Sequence, residues 1–189
     1  MLKEHEVTVA HVAPPLVGFL AKHPAVASVL PLPKLRELFS GAAPLGTDLA
    51  AAAAARLGGD GSGGAVRPVL VRQGYGMTEM SPASHVHPYD SPPSKVGGIG
   101  TLVPGMSCKV VSTETGLAVG VGAVGELWLK GPNVMRGYLN NPGATAETVD
   151  GEGYLHSGDV GYVDADGCFF IVDRVKELIK VKGFQVSDL

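Results

Sequence analysis

The stretch QGYGMTE at residues 73–79 constrains this chain more than any other segment. It follows residues 66–71, whose β-branched side chains predict a short buried strand. Glycines at a strand end let the backbone turn sharply and approach a ligand closely. Tyr75 adds a flat ring, Thr78 a hydroxyl and Glu79 a carboxylate that suits Mg²⁺. This combination indicates a nucleotide site, although a strand-to-loop turn with polar side chains would also explain it.

Composition and charge exclude several classes of protein. The chain has 189 residues, enough for one or two domains, and a formal net charge of −3. That charge gives no basic footprint for nucleic acid and no polybasic membrane patch. The charged start argues against a signal peptide, and Lys22 and His23 interrupt the apolar stretch 12–33, so we expect no membrane span. Cys108 and Cys168 suggest neither a disulfide framework nor a metal cluster.

The first half of the chain predicts a parallel α/β arrangement. Residues 7–12 and 35–39 have strand patterns, and a helix follows the first strand from Pro14 to about residue 21. A second helix, capped by Thr47 or Asp48, runs through the alanines at 50–55 and is ended by Gly58 and Gly59. Strand, small-residue turn and helix form the unit from which parallel sheets are built, and ligands bind beyond the carboxyl ends of such strands. The turn SGAAP at 40–44 is therefore a candidate pocket wall or a plain connection.

From residue 96 the pattern changes to short alternating strands between glycine-rich turns. The predicted strands are 107–111, 125–130 and 168–172, and residues 112–120 predict a hairpin. We expect a small antiparallel, barrel-like subdomain. His85 and His87 are two residues apart, which would suit a metal pair, but without further ligands nearby they are better explained as loop or pocket-rim histidines.

Three more stretches complete a pattern: SGAAPLG at 40–46, YLHSGD at 154–159 and IVDRVKELIKVKGFQ at 171–185. Together with QGYGMTE, and in this order, they resemble the adenylate-forming (AMP-binding) superfamily of acyl-CoA synthetases, 4-coumarate–CoA ligases and beetle-type luciferases. The likeness runs from about residue 7 to 186, and the wording of QGYGMTE, RVKELIK and KGFQV is nearest to the 4-coumarate–CoA ligase branch.

The resemblance implies an α/β fold and a domain plan. Part of the family's large N-terminal domain would occupy residues 1–92, which carry the adenine and acyl pocket, and 93–172, which form the antiparallel subdomain. A hinge would follow at 173–176, and residues 177–189 would begin the C-terminal lid domain.

The resemblance also implies an ATP-dependent carboxylic acid–CoA ligase. The acid attacks the α-phosphorus of ATP and gives acyl-AMP and pyrophosphate, and coenzyme A then displaces AMP. The cofactors would be ATP, Mg²⁺ and coenzyme A, and the partner a small aromatic or fatty carboxylic acid. The compartment would be cytoplasmic or peroxisomal, and the oligomeric state stays open.

Residue roles follow from the resemblance one position at a time. Asp159 would accept hydrogen bonds from both ribose hydroxyls, although a turn aspartate that bonds its own backbone is the alternative. Arg174 would contact ribose or α-phosphate, or else form a surface ion pair with Asp173. Glu79 would hold Mg²⁺. The remaining ATP and AMP contacts would be Ala42, Gln73, Gly74, Tyr75 and Thr78.

The lid and the acyl pocket complete the implied site. Lys180 and Thr78 would be catalytic, and Lys176, Lys180 and Gln185 would reach the acyl-adenylate. Lys182 and Gly183 would line the coenzyme A channel, although a solvated charged face also explains the lysines. Gly74, Pro82 and Ala83 would form the acyl pocket; Ala83 is smaller than the residue common in 4-coumarate ligases, which predicts a roomier pocket.

Two parts of the family pattern are missing from the 189 residues: the phosphate loop that carries a lysine, and the rest of the lid. We expect these parts before Met1 and after Leu189, and we expect little ligase activity from the chain alone. A luciferase-like or long-chain acyl-CoA synthetase is an alternative within the family. A non-catalytic remnant that binds AMP is an alternative of another class.

Overall fold

The computed structural model describes residues 1–58, 68–90, 95, 97–175, 179–181 and 184–186. Residue contacts divide the chain into two compact units. Unit one contains residues 1–73 and 180–184, and unit two contains residues 74–179 and 185–189. The family's subdomain boundaries at 92, 172 and 176 stay predictions.

Unit one is built on parallel strands with helices in the connections. Strands β1 (Val9–Val12), β2 (Glu37–Ser40) and β3 (Leu70–Gly76) pair in parallel, so that Val9 faces Glu37 and Ser40 faces Gln73. Helix α1 (Pro14–Lys22) begins with two prolines, which suit a helix start because the first N–H groups need no helical partner. Helix α2 (Thr47–Gly58) is rich in alanine, the best helix former.

The core of unit one is apolar and closely packed. Val17 of α1, Leu38 of β2 and Ala53 of α2 are fully buried in one cluster. Burying side chains of this size contributes about 25 cal/mol for each Å² of apolar surface removed from water. This core fixes β2 and β3, and with them the turn that follows β2.

Unit two carries antiparallel strands. The end of β3, Gly74–Gly76, pairs with β4 (Ala83–Val86), which pairs with β5 (Thr101–Leu102). A second sheet has the order β10-β9-β8-β6-β7. Its strands are β6 (Ser107–Val111), β7 (Ala118–Val119), β8 (Gly125–Lys130), β9 (Leu155–Val163) and β10 (Phe169–Arg174).

The buried side chains of unit two come mainly from the second sheet. Leu127 and Leu129 are fully buried, because alternate side chains of β8 face the core, and Leu155 of β9, which pairs with Leu129, is fully buried too. Helix α3 (Pro142–Thr148) is capped by the Asn141 side chain, which accepts from the N–H of Ala144. Two short strands, β11 (Ile179–Val181) and β12 (Phe184–Val186), pair with each other.

The mixed α/β class, the strand at 125–130 and the hairpin at 112–120 are confirmed. The barrel-like expectation is corrected, because the described strands of the second sheet form an open sheet. Of the strand predicted at 66–71, residues 66 and 67 lie outside the described residues, residues 68 and 69 precede the strand, and β3 begins at Leu70 and continues through Gly76. The segment that contains Gly74 and Tyr75 is therefore extended strand that pairs with β4, and its turn comes later. No helix among the described residues is long and apolar enough to span a membrane.

Candidate functional site

The turn after β2 has the strained geometry that binding sites often use. Ala42 has φ +71°, a left-handed conformation that costs a non-glycine residue energy. Gln73 lies in the middle of β3, at the last parallel pair between β2 and β3, and its Oε1 accepts the N–H of Leu45 at 3.2 Å. Within unit one, the predicted adenylate contacts Ala42 and Gln73 thus both lie near the end of this parallel pairing.

In unit two, a cluster of three side chains joins the QGYGMTE stretch to the SGD stretch. The hydroxyl of Tyr75 donates to Oδ2 of Asp159 at 2.6 Å. Nε of Arg174 donates to Oδ1 of the same carboxylate at 2.5 Å. Arg174 therefore pairs with Asp159, and the alternative of a surface pair with Asp173 is wrong for its guanidinium. Three of the residues predicted to bind the nucleotide are in direct contact.

Asp159 lies inside β9, so its prediction as a turn residue is corrected. The register between β8 and β9 shifts between two residue pairs: Glu126 faces Val160, and Trp128 faces His156. Three residues of β9, 157–159, are therefore opposite one residue of β8, which is a bulge. Gly158 has φ +70°, a conformation that glycine adopts without the clash of a Cβ atom. The bulge aims the carboxylate of Asp159 at Tyr75 and Arg174.

The carboxylate of Asp159 is almost fully covered, because the residue is only 2% exposed. Burial, followed by the charge of Asp159 and the hydrogen bond to it, raises the pKa of Tyr75 well above its usual value. Tyr75 is therefore a neutral donor at physiological pH. A carboxylate has about four acceptor positions, so two donors leave acceptor capacity for further hydroxyl groups.

Glu79 is oriented by residues 135–138, which follow β8 in the chain. The hydroxyl of Tyr138 donates to Oε1 of Glu79 at 2.7 Å, and the N–H of Met135 donates to the Glu79 carbonyl at 2.8 Å. Desolvation, followed by the hydrogen bond to Glu79, raises the pKa of Tyr138. The residues around 135–138 hold the predicted Mg²⁺ ligand in place.

Close backbone contact and one amide shape the segment from Gly76 to Ala83. A Cβ atom on Gly76 would lie 1.8 Å from the carbonyl oxygen of Pro82, so only glycine fits there. Nδ2 of Asn133 donates to the carbonyls of Met80 at 2.6 Å and Ala83 at 2.9 Å. These contacts fix the predicted acyl-pocket residues Pro82 and Ala83 beside the exposed Thr78.

Both histidines of the sequence pair are buried. The loop or pocket-rim interpretation is wrong for His85, which lies on a strand, whereas His87 follows that strand in a loop. His85 lies on β4 between the rings of Tyr75 and Phe169, with Nδ1 3.0 Å from the Ser84 hydroxyl. Desolvation lowers the pKa of His85 to about 3. His87 bonds the carbonyl of Gly98 at 2.8 Å. Among the described residues there is no group of three or more His, Cys, Asp or Glu side chains placed to hold a metal ion.

Some of the predicted lid residues lie outside the part of the chain that the structure describes. Lys176, Lys182 and Gly183 lie outside the described residues. Lys180 lies on β11 and Gln185 on β12, for which the backbone alone is described. Their roles stay predictions.

Three residues with positioning contacts were missed at the level of sequence: Glu126, Asn133 and Tyr138. The signal for Glu126 was available, because period-2 alternation puts it on the same face of β8 as Trp128. Asn133 and Tyr138 follow a strand in a glycine-containing loop, where no periodicity predicts the direction of a side chain.

Known proteins resemble this chain in sequence. The model of the AMP-binding enzyme family matches residues 1–139. A curated relative, the probable 4-coumarate–CoA ligase 3 of Dictyostelium discoideum, is 46% identical over 186 residues, which cover 98% of this chain and 32% of that protein. The chain thus spans about a third of the length of the curated relatives it matches.

Solved structures share the fold at lower identity. The amide bond synthetase McbA from Marinactinospora thermotolerans aligns with a TM-score of 0.82 and 30% identity, over 98% of this chain and 35% of that chain. ATP-bound MatB from Rhodopseudomonas palustris aligns with a TM-score of 0.76 and 32% identity, over 95% of this chain and 33% of that chain.

Proposed function

Because this chain belongs to the AMP-binding enzyme family, we propose that it carries the AMP-binding part of an ATP-dependent carboxylic acid–CoA ligase. The proposed reaction converts an acid and ATP into acyl-AMP and pyrophosphate, and then coenzyme A displaces AMP. The observation that carries the proposal is the cluster of Asp159 with Tyr75 and Arg174, which joins two distant motifs at one carboxylate.

Asp159 suits the two hydroxyls of a ribose. Each oxygen already accepts one donor and can accept a second, and hydrogen bonds to a charged acceptor are about twice as strong as neutral ones. Since the carboxylate is covered, the side chain of Tyr75 or Arg174 must turn aside when ribose binds. Arg174 can do so because its side chain is 29% exposed. Its guanidinium would then be available to a phosphate oxygen.

The remaining proposed roles follow the resemblance to the family. Thr78, exposed beside Glu79, would donate its hydroxyl to the α-phosphate, and Gln73, Gly74 and Ala42 would lie against the adenylate. Glu79 would hold Mg²⁺ through a carboxylate that Tyr138 orients, which fits an ion commonly bound by one or two carboxylates and substrate phosphates. Mg²⁺ bound there would neutralise phosphate charge.

We propose an aromatic acid of the 4-coumarate type as the substrate. The relative named 4-coumarate–CoA ligase supports this choice, and the small side chain of Ala83 would widen the acyl pocket proposed for it with Gly74 and Pro82. A luciferase-like or long-chain acyl-CoA synthetase is the alternative. Activity of the complete protein on a panel of aromatic and fatty acids, with ATP and coenzyme A, separates these candidates.

The lid residues and the location of the protein complete the proposal. Lys176, Lys180 and Gln185 would contact the acyl-adenylate, with Lys180 catalytic, and Lys182 and Gly183 would line the coenzyme A channel. The protein would act in the cytoplasm or in peroxisomes. We expect the 189-residue chain to bind AMP and form little acyl-AMP, because the sequence contains no phosphate loop that carries a lysine.

Calorimetry with AMP tests the site. We expect the substitution Asp159→Ala to weaken AMP binding at least tenfold, because two charge-assisted hydrogen bonds are lost. Glu114→Ala, which removes a negative charge from an exposed turn, is the matched control and should bind like the unsubstituted chain. Unchanged affinity in Asp159→Ala contradicts the ribose assignment. AMP binding by the complete protein without pyrophosphate release, with any acid on the panel, favours the non-catalytic remnant.

A further inference from the structure

Glu126, on β8, holds two donors with its two carboxylate oxygens. Oε1 accepts the N–H of Gly158 at 2.8 Å, and Oε2 accepts the indole N–H of Trp128 at 2.8 Å. Gly158 immediately precedes Asp159 in the chain. A side chain 32 positions earlier in the sequence is therefore one residue away from the proposed ribose carboxylate.

The bulge of β9 explains why Gly158 needs this acceptor. Where three residues face one, the regular ladder of backbone hydrogen bonds is interrupted, and a bulge residue is left without its ladder partner. Two side chains replace the ladder here. Glu126 accepts from Gly158, and the hydroxyl of Ser157 accepts the N–H of Asp159 at 3.1 Å. The direction of the Asp159 side chain depends on these bonds.

The carbonyl of Gly158 makes a second connection. It accepts the N–H of Val175 at 2.8 Å, and Val175 directly follows Arg174. Gly158 is thus held at its N–H by Glu126, and through its carbonyl it holds the backbone next to Arg174. The two charged partners of the proposed site, Asp159 and Arg174, are each one residue away from a bond of Gly158.

We infer that Glu126 is a positioning residue for the ribose site. Its carboxylate fixes the bulge, and the bulge sets the orientation of Asp159 towards the ribose hydroxyls and towards Arg174. This inference rests on the proposed function, because Glu126 would position the Asp159 carboxylate that is proposed to bind the ribose. Glu126 itself contacts no nucleotide.

The test measures how well the chain distinguishes ribose hydroxyls. The unsubstituted chain should bind AMP more tightly than 2′,3′-dideoxy-AMP, which lacks both hydroxyls. Glu126→Ala should weaken AMP binding about tenfold and bring the ratio of the two dissociation constants close to one. A substitution that only loosened the fold would weaken both ligands equally and leave the ratio unchanged.

Two matched variants separate the two donors of Glu126. Glu126→Gln keeps one amide oxygen, which can accept from Gly158, and the half-buried Trp128 can turn to water for its N–H. It should retain both AMP affinity and the ratio. Trp128→Phe removes the donor to Oε2 and leaves Oε1 on Gly158, so it should also behave like the unsubstituted chain. Glu126→Met, of similar length but a poor acceptor, replaces Glu126→Ala if that variant does not fold.

The outcomes of this test and of the previous one are distinguishable. If Asp159→Ala loses AMP affinity while Glu126→Ala keeps both affinity and ratio, the inference about Glu126 is overturned and the proposed function stands. The inference is also overturned if Glu126→Ala weakens both ligands equally. If the unsubstituted chain does not bind AMP, or if Asp159→Ala binds AMP equally well, the proposed function and this inference both fail.

Discussion

Tyr75 and Asp159 are 84 positions apart in the sequence and 2.6 Å apart in the structure, measured from hydroxyl oxygen to Oδ2. The bond joins the end of β3 to the bulge of β9. An aromatic ring and a carboxylate thereby occupy one site, as the proposed binding of adenosine needs.

Tyr75→Phe keeps the ring and removes that hydrogen bond. We expect the free energy of unfolding to fall by about 1.5–3 kcal/mol, because a buried carboxylate loses a donor. AMP should bind at least as tightly as before, because the ring is still available to adenine and Asp159 gains a free acceptor position for the ribose. Urea unfolding and calorimetry measure the two quantities. A tenfold loss of AMP affinity would show instead that the hydroxyl contacts the nucleotide.

The raised pKa of Tyr75 predicts alkaline sensitivity. Its pKa is near 10 in the unfolded chain and higher in the folded protein, so the stabilisation is fully present below pH 10. As the pH rises above 10, we expect the free energy of unfolding to fall by about 1.4 kcal/mol for each pH unit, until the pH reaches the pKa of Tyr75 in the folded protein. Urea unfolding at pH 9.5 and pH 11, compared between the unsubstituted chain and Tyr75→Phe, isolates this contribution. An equal change in the free energy of unfolding between these two pH values in the two proteins would contradict the prediction.

His85 predicts acid sensitivity of unit two. Burial lowers its pKa to about 3 in the folded protein, whereas the unfolded chain binds the proton near pH 6.5. Its contribution to stability is therefore present above pH 6.5 and is lost as pH falls towards 3. Between pH 7 and pH 5 we expect a loss of about 2 kcal/mol in the free energy of unfolding.

The control for this pH dependence is a pair of substitutions. His85→Phe keeps a ring between Tyr75 and Phe169 and removes the titrating group, so its stability should depend less on pH in this range. His5→Gln, which changes an exposed histidine, should retain the full dependence. The prediction is wrong if His85→Phe and His5→Gln lose the same free energy on going from pH 7 to pH 5.

Gly76→Ala tests the close approach of backbone between β3 and the residues before β4. The added Cβ would meet the Pro82 carbonyl oxygen at 1.8 Å, and backbone cannot move aside as a flexible side chain can. We expect a loss of more than about 3 kcal/mol in the free energy of unfolding. Gly120→Ala is the control, because its Cβ would meet no atom within 4 Å, and its effect should stay within about 0.5 kcal/mol. If Gly76→Ala lowers the free energy of unfolding no more than Gly120→Ala does, the backbone of this segment can shift to accept a Cβ atom and the prediction is wrong.

Strands with clear alternation were predictable, and strands with glycines in their interior were not. The pattern of β8 gave the bounds 125–130 directly, because buried and half-buried side chains alternate along it. The prediction for β3 failed because Gly74 and Gly76 pair with β4, and pairing with a neighbouring strand overrides the low strand propensity of glycine. β9 was missed because its bulge at Gly158 breaks the alternation.

The residues of the candidate site were predictable in kind, and their contacts were not. The family resemblance suggested Asp159, Arg174 and Tyr75, but no spacing rule brings together positions 75 and 159. Glu126 was missed because a carboxylate on an alternating strand is usually solvated, and its role appears only when the bulge supplies a donor. Local patterns determine local structure, whereas contacts between distant strands depend on the whole sheet.

The hydrogen bond from Val175 to the carbonyl of Gly158 fixes the place where the chain leaves the second sheet. Any part of the protein that follows residue 175 is therefore attached one residue away from Arg174, and across a single backbone bond from the neighbour of Asp159. A rotation of that part would therefore begin beside the proposed site, and the first bonds that it changed would be those next to the carboxylate and the guanidinium.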